Sequence, residues 1–89
     1  MARLVFTQQL RRFTATPEVE VPSASLCEAL DAAFRVNPRL RGYVRDDQGH
    51  MRPNVVAFID GRRSRDRHSQ SDPLGPDSKV HVLQALSGG

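Results

Sequence analysis

The sequence predicts a small α+β fold in which one helix packs across a mixed β-sheet. The first observation is one amphipathic helical pattern at residues 25–36, with short strand-like stretches on both sides of it. The second is an uninterrupted apolar run at residues 55–59, which is typical of a central strand covered on both faces. The third is a strand-like stretch, 79–86, that leads into Gly88-Gly89. Together they indicate four to five strands packed on one main helix.

The composition is that of one globular domain. The 89 residues are 38% hydrophobic and 26% charged, and no apolar run approaches the length that spans a bilayer. The first residues lead directly into a strand-like pattern without signal-peptide architecture, and the single cysteine fits a reducing compartment. We therefore expect a cytoplasmic protein, with residues 1–86 as its domain and Ser87-Gly88-Gly89 as a flexible tail.

The net charge of +3 and the isoelectric point near 10.0 come almost entirely from arginine. Acidic residues are interspersed with the arginines, and one Tyr and four Phe offer few rings for stacking on bases. Nucleic-acid binding is therefore not favoured. An arginine patch that contacts an acidic protein partner is the alternative that the composition leaves open.

The N-terminal part of the chain predicts a β-hairpin. Residues 3–10 have the pattern of a strand, and after a polar connection closed by proline, residues 18–21 alternate as a second strand. The short connection between the strands indicates antiparallel pairing. In the first strand, Leu4 and Phe6 are expected on one face and Val5 on the other. In the second strand, Val19 and Val21 are expected on the buried face.

The helix is the clearest element in the sequence. Ser25 and Glu28 have the spacing of a capping box, in which each side chain satisfies a free backbone donor of the first turn. Asn37-Pro38 ends the pattern, because the residue before proline is disfavoured in the α conformation. Cys27 has no His or Cys at metal-ligand spacing and is expected to be structural. The apolar stripe, which we expect in the core, consists of Leu26, Ala29, Leu30, Ala33 and Phe34.

Two turns surround the predicted central strand. Gly49, in the polar stretch 45–50, is expected to adopt a positive φ, and Asp60-Gly61 is a tight-turn pair directly after the apolar run. The rest of the chain divides by composition into four parts. Residues 40–44 are a short apolar segment and 62–66 are a short returning strand, while 68–78 are a loop and 79–86 are the last strand.

The last two residues indicate a functional tail. Gly88 and Gly89 lack a Cβ, so the segment is thin enough to enter a narrow channel. A C-terminal carboxylate has a pKa of about 3.5, so at neutral pH it is ionised and must be activated before it reacts as an acyl group. Two glycines also occur together by chance, and an incidental tail is the alternative reading of these residues alone.

Five blocks of sequence carry a resemblance to a known family. The blocks are SLCEALD at 25–31, NPRLRGY at 37–43, DQGHMRP at 47–53, VVAFIDG at 55–61 followed by Arg65-Asp66, and VHVLQALSGG at 80–89. In their order and spacing they resemble the MoaD/ThiS family of ubiquitin-like sulfur carriers. The resemblance extends from the first strand to the last residue. It implies the β-grasp fold, with a mixed sheet on one main helix.

The resemblance also implies a chemistry for Gly89. In this family the C-terminal glycine is adenylated and then converted to a thiocarboxylate, which donates sulfur in cofactor or amino-acid biosynthesis. The implied partners are an E1-like adenylyltransferase, a sulfurtransferase or persulfide donor, and an acceptor enzyme. ATP and Mg²⁺ would belong to the activating partner, because the sequence has no P-loop. The chain would then be a protein co-substrate without a bound cofactor or metal, and not an enzyme.

The partner-binding surface is expected at the end of the chain and on the central strand. Gln84 and Ser87 depart from the family pattern, in which proline and a small apolar residue are frequent at these positions. The departures concern the identity of the partner more than the carrier role. The apolar residues Phe58, Leu83 and Ala85 have a second interpretation, as residues at the edge of the core. The residues expected to contact partners are Gly88, Ser87, Leu86, Ala85, Leu83 and Phe58.

The residues leave two other functions open. A ubiquitin-like modifier would also use Gly89, joined to lysines of target proteins, and a plain β-grasp interaction module would have an incidental tail. A metal site is not expected, because the histidines are scattered among a turn, a loop and a strand. They are His50, His68 and His81.

Overall fold

The computed structural model describes residues 1–6, 18–22 and 25–84. These residues form a five-stranded mixed sheet with two helices, and the strand order is β2-β1-β5-β3-β4. The predicted α+β architecture is confirmed. The predictions for residues 7–17 and 85–89 lie outside the described residues. The elements are β1 (Ala2–Phe6), β2 (Val19–Val21), α1 (Leu26–Val36), α2 (Arg39–Val44), β3 (Val55–Ile59), β4 (Arg62–Arg63) and β5 (Lys79–Gln84).

Strand β1 joins the N-terminal hairpin to the rest of the sheet. It pairs antiparallel with β2 and parallel with β5, so the predicted antiparallel pairing is confirmed and the sheet is mixed. Leu4 and Phe6 are buried, whereas Val5 is half-buried on the opposite face, as the alternation predicts. Val21 is buried and Val19 is half-buried against the core.

Helix α1 begins at the predicted cap. The backbone of Ser25 is extended, and its Oγ accepts a hydrogen bond from the backbone N–H of Glu28 at 3.2 Å. In a complete capping box the Glu28 side chain would accept from the backbone N–H of Ser25. Here the Glu28 carboxylate accepts a hydrogen bond from the Ser25 hydroxyl instead, at 3.4 Å. A loop later in the chain supplies an acceptor to this turn instead, since the Gln70 carbonyl accepts from the Cys27 N–H at 2.7 Å.

The core lies between α1 and one face of the sheet. All five residues of the predicted stripe are buried, and the helix ends at Val36, where the N–H of Asn37 still donates to the carbonyl of Ala33. The sheet residues buried beneath the helix are Ala2, Leu4, Phe6, Val21, Val55, Ala57, Val80 and Val82.

Residues 39–44 form a second helix, where the sequence was interpreted as a short apolar segment. Leu40 and Val44 are fully buried one turn apart, and Tyr43 packs against the core beside them. Pro38 precedes the helix with a helical φ of −60°, so the proline that ends α1 also starts α2. Six residues are too few to repeat the helical period, which explains the miss. Neither described helix has the length and apolarity needed to cross a membrane.

Strand β3 is buried on one face alone. Val55 and Ala57 are fully buried, but Val56 and Phe58 on the other face are half-buried. The expectation that both faces of this strand are covered is therefore wrong within the described chain. The apolar character of the second face needs another explanation.

The predicted turns are confirmed. Gly49 has a φ of 83°, and the pair Asp60-Gly61 has φ values of 52° and 82°, both in the left-handed region that a tight hairpin turn requires. The returning strand β4 is shorter than the predicted 62–66. Beyond it, the predicted loop 68–78 is irregular, but Leu74 within it is buried in the core.

We expect Leu30→Ala to lower the free energy of unfolding by about 2–5 kcal/mol, because a fully buried side chain is truncated and leaves a cavity. Val36 lies on the same helix with 65% of its surface exposed, so Val36→Ala should change stability by about 0.5 kcal/mol or less. Urea unfolding followed by circular dichroism compares the two variants. Equal losses would contradict the burial of the stripe.

Candidate functional site: the outer face of the sheet

The face of the sheet opposite α1 carries apolar side chains in adjacent rows. His81 of β5 pairs with Val5 of β1 on one side and with Phe58 of β3 on the other. In the next row Leu83 pairs with Val56. Directly paired residues point to the same face of a sheet, so these five side chains form one surface, which we call the outer face.

The outer face is half-exposed. Its four apolar members are half-buried and His81 is exposed. Of the residues predicted to contact partners, Phe58 and Leu83 are brought together here. Val5 and Val56 were not among those predictions, although the alternation along β1 placed Val5 on the face opposite Leu4 and Phe6. The other residues predicted to contact partners or to react lie outside the described residues, and they are Ala85, Leu86, Ser87, Gly88 and Gly89.

The outer face lies close to the point from which the last residues of the sequence continue. Gln84 is the last residue of β5 and pairs with Val55 at the start of β3. Five residues follow it, ending at Gly89. A chain of five residues spans at most about 17 Å. If Gly89 reacts as predicted, a partner that holds it therefore holds it within about this distance of Gln84.

Charged side chains surround the apolar rows. On one side Arg63 of β4 pairs with Phe58. On the other side Arg3 of β1 forms ion pairs with Glu18 at 3.1 Å and with Glu20 at 3.0 Å. Exposed ion pairs of this kind stabilise a fold by about 1 kcal/mol at most. An apolar centre with a charged rim is the usual composition of a protein-binding surface.

A second polar cluster lies on the helix side of the molecule. Arg45 is 8% exposed, and its guanidinium is 2.7 Å from Asp31 Oδ1 and 3.3 Å from Cys27 Sγ. Its Nε donates to Gln70 Oε1 at 2.9 Å, and the guanidinium carbon lies 4.9 Å above the Phe34 ring. The cluster links α1 to the end of α2 and to the loop after β4. The sequence interpretation of Cys27 missed Arg45, which lies 18 residues further along the chain.

Two of the three histidines meet. His50 Nε2 and His68 Nδ1 are 3.4 Å apart, and the two rings are edge to face with centroids separated by 4.3 Å. The sequence interpretation treated all three as scattered and missed this contact. His81 lies apart from them on the outer face. Within the described ranges, no group of three or more His, Cys, Asp or Glu side chains could hold a metal ion.

Asp66 organises the loop that follows β4. Its carboxylate accepts hydrogen bonds from the Ser71 hydroxyl at 2.6 Å and from the backbone N–H groups of Ser69 and His68, each at 3.1 Å. These donors favour the ionised carboxylate and lower the pKa of Asp66 from 3.8 to about 2, and the Ser71 hydroxyl makes the largest contribution. Asp72 holds the same loop by accepting from two further backbone N–H groups, at 2.9 and 3.0 Å.

Comparison with solved structures identifies the fold. The crystal structure of SAMP1 from Haloferax volcanii superposes with a TM-score of 0.78 at 20% identity, covering 99% of this chain and 98% of that one. A crystal structure of the small archaeal modifier protein 1 of the same organism gives a TM-score of 0.75 at 17% identity, with 96% and 97% covered. The solution structure of its HVO 2177 protein gives 0.65 at 21% identity, with 99% and 85% covered.

At these identities the likeness establishes the fold, a ubiquitin-like β-grasp, over nearly the whole chain. No protein-family model and no curated protein sequence matches. The resemblance to the MoaD/ThiS family in particular stays a prediction.

We expect the stability of the fold to fall between about pH 4 and pH 2 in part through Asp66. Its folded pKa of about 2 lies below the ordinary value of 3.8, so its contribution is fully present above pH 3.8 and is lost as the pH falls through 2. Asp66→Asn should be less stable than the wild type at neutral pH, and this difference should narrow across that window. Asp77→Asn, at an exposed position, is the matched control. Urea midpoints measured at several pH values provide the test, and a constant difference would contradict it.

Proposed function

We propose that this chain is a sulfur-carrier protein whose Gly89 is adenylated and then converted to a thiocarboxylate. The observation that carries the proposal is the outer face, whose half-exposed apolar rows end near Gln84, five residues before Gly89. The β-grasp fold supports it, as does the resemblance of the sequence blocks to the MoaD/ThiS carriers. The sulfur would serve the biosynthesis of a cofactor or an amino acid.

The proposed reaction consists of two displacements at Gly89. First, a carboxylate oxygen attacks the α-phosphorus of ATP and pyrophosphate leaves, which gives an acyl adenylate. Second, the terminal sulfur of a persulfide on the sulfurtransferase or other donor attacks the acyl carbon, and AMP leaves with the electrons of the carbon–oxygen bond. A thiol then cleaves the sulfur–sulfur bond, which leaves the thiocarboxylate on Gly89 and a disulfide on the donor. The first step is needed because an ionised carboxylate is a poor acyl electrophile. The product sulfur is a better nucleophile than the oxygen that it replaces.

In this proposal the chain supplies a docking surface and a thin reactive segment. Phe58 and Leu83 contact the E1-like adenylyltransferase from the outer face, while the segment Ala85, Leu86, Ser87 and Gly88 enters its channel. ATP and Mg²⁺ bind to the activating enzyme, because this sequence has no P-loop. The chain acts as a co-substrate, and the acceptor enzyme binds the same surface after the exchange of partners.

A protein modifier is the second candidate function, and the name of one solved structure with this fold, small archaeal modifier protein 1, favours it. In that case the amine of a target lysine attacks the acyl carbon of Gly89. The acyl group is then carried either by the adenylate or by a thiol, as a thioester formed with loss of AMP. An amide bond forms and AMP or the thiol leaves. Both candidates require a free Gly89 carboxylate and the outer face. They differ in the atom that is joined to the acyl carbon.

The first experiment is intact mass with fragmentation after incubation with ATP, an E1-like activating enzyme and a sulfur donor. We expect one oxygen of Gly89 to be replaced by sulfur. The change has nearly the nominal mass of an oxidation at Cys27, Met1 or Met51, so the fragments must locate it. The mass of the untreated protein checks that Gly89 carries a free carboxylate. An unmodified Gly89 beside an active enzyme would contradict both functions, and lysine conjugates would select the modifier.

We expect Leu83→Arg to weaken binding to the activating enzyme by about tenfold or more, because it places a charge in the centre of the apolar rows. Val36→Arg adds the same side chain at an exposed position of α1, on the other side of the sheet, and should bind as the wild type does. Calorimetry measures the affinities, and circular dichroism establishes that both variants fold. Unchanged binding by Leu83→Arg would remove the docking role of the outer face.

A further inference from the structure

A groove of about 600 Å³ lies beside β4, at the edge of the sheet. The described residues that line it are separate from the buried Arg45 cluster. We call it the β4 groove, and its lining includes Ile59, Asp60, Arg62, Arg63, Arg65, Asp72 and Pro73.

The guanidinium groups of the β4 groove are available to a ligand. Arg62, Arg63 and Arg65 are all exposed. The ion pairs within the described part of the chain are made by Arg3 and Arg45, so none of the three groove arginines has a carboxylate partner there at 4.0 Å or less. Arg62 and Arg63 are neighbours in β4 and project to opposite faces of the sheet, so with Arg65 they place positive charge on both sides of its edge.

The two carboxylates beside the groove are engaged by the protein's own backbone. Asp60 Oδ1 accepts from the N–H of Lys79 at 2.9 Å. Both oxygens of Asp72 accept from backbone N–H groups, those of Arg65 and Asp66. These carboxylates hold the turn and the loop in place. Their hydrogen bonds run into the fold and leave the arginines to face solvent.

The groove also offers an apolar lining and an open backbone edge. Ile59 and Pro73 are the apolar residues of the lining. Strand β4 is an edge strand of the described sheet. It pairs with β3 on one side, and no described strand pairs with its other side. An exposed edge of this kind can align an extended peptide by backbone hydrogen bonds.

We propose that the β4 groove binds an acidic segment of a partner protein. Asp or Glu side chains of that segment pair with Arg62, Arg63 and Arg65, because guanidinium forks match carboxylates in geometry and charge. One aliphatic side chain contacts Ile59 and Pro73. A protein segment fits better than a nucleic acid, since none of the described residues that line the groove is aromatic and bases have no ring to stack on.

The groove adjoins the outer face, because Arg63 pairs with Phe58 across β3 and β4. One partner can therefore contact both surfaces at once. The proposal concerns recognition and does not require Gly89 or its activation. A failure of the sulfur chemistry would leave it intact, and its own failure would leave that chemistry intact.

The test uses a short labelled peptide in which glutamates surround one isoleucine, and a control peptide with glutamine at each glutamate. Fluorescence anisotropy measures binding to the full chain and to the triple variant R62Q/R63Q/R65Q. We expect the triple variant to bind the acidic peptide about tenfold more weakly, as three exposed ion pairs are lost. The matched control R35Q/R39Q/R41Q removes the same charge at three exposed arginines away from the groove and should bind as the wild type does.

Nuclear magnetic resonance of the labelled wild type locates the peptide without any variant, and we expect shifts at residues 59–65 and 72–75. The same titration with a single-stranded oligonucleotide separates the two classes of ligand. The proposal is overturned if the acidic peptide binds no tighter than its glutamine control, or if both triple variants lose affinity equally. It is also overturned if the oligonucleotide shifts the groove resonances at lower concentration than the peptide.

Discussion

The buried guanidinium of Arg45 joins α1 to the loop after β4, where backbone hydrogen bonds from Leu26 and Cys27 to the loop also hold the two together. A buried charge is costly unless its donors are paired, and here the partners come from different parts of the chain. Asp31 and Phe34 belong to α1, whereas Gln70 belongs to the loop after β4. Gln70 has a φ of 51°, an unfavourable value for a residue other than glycine, and its side-chain amide also donates to two loop carbonyls. One arginine thereby fixes the helix, the loop and a strained residue together.

The sheet has two faces with different compositions, and the difference explains the apolar run of β3. Val55 and Ala57 belong to the core, which α1 completes. Val56 and Phe58 are equally apolar but half-exposed, next to Leu83 of β5. A strand whose second face meets water usually carries polar residues on that face. An apolar open face is suited to a second protein, so the uninterrupted run is consistent with a fold that is completed by its partners.

The elements that were predicted from the sequence are those set by neighbouring residues. Ser25 as the cap of α1 and the turn at Asp60-Gly61 depend on the chemistry of a few adjacent positions. Helix α2 was missed because residues 39–44 make less than two turns. The pairing of Arg45 with Gln70 joins positions 25 residues apart, and no local pattern encodes it. For the candidate site, the sequence indicated Phe58 and Leu83 as partner contacts, but their place in adjacent rows required the sheet topology.

The central position of β5 has a mechanical consequence. It is hydrogen-bonded on both sides, over four residues to β1 and over five to β3, and the sequence runs directly from its end to Gly89. A tensile force applied at Gly89 acts along β5, so both ladders are loaded in shear and many hydrogen bonds resist together. An edge strand would instead peel away on one side. Under the proposed function, the domain would therefore resist being pulled open while a partner holds Gly89.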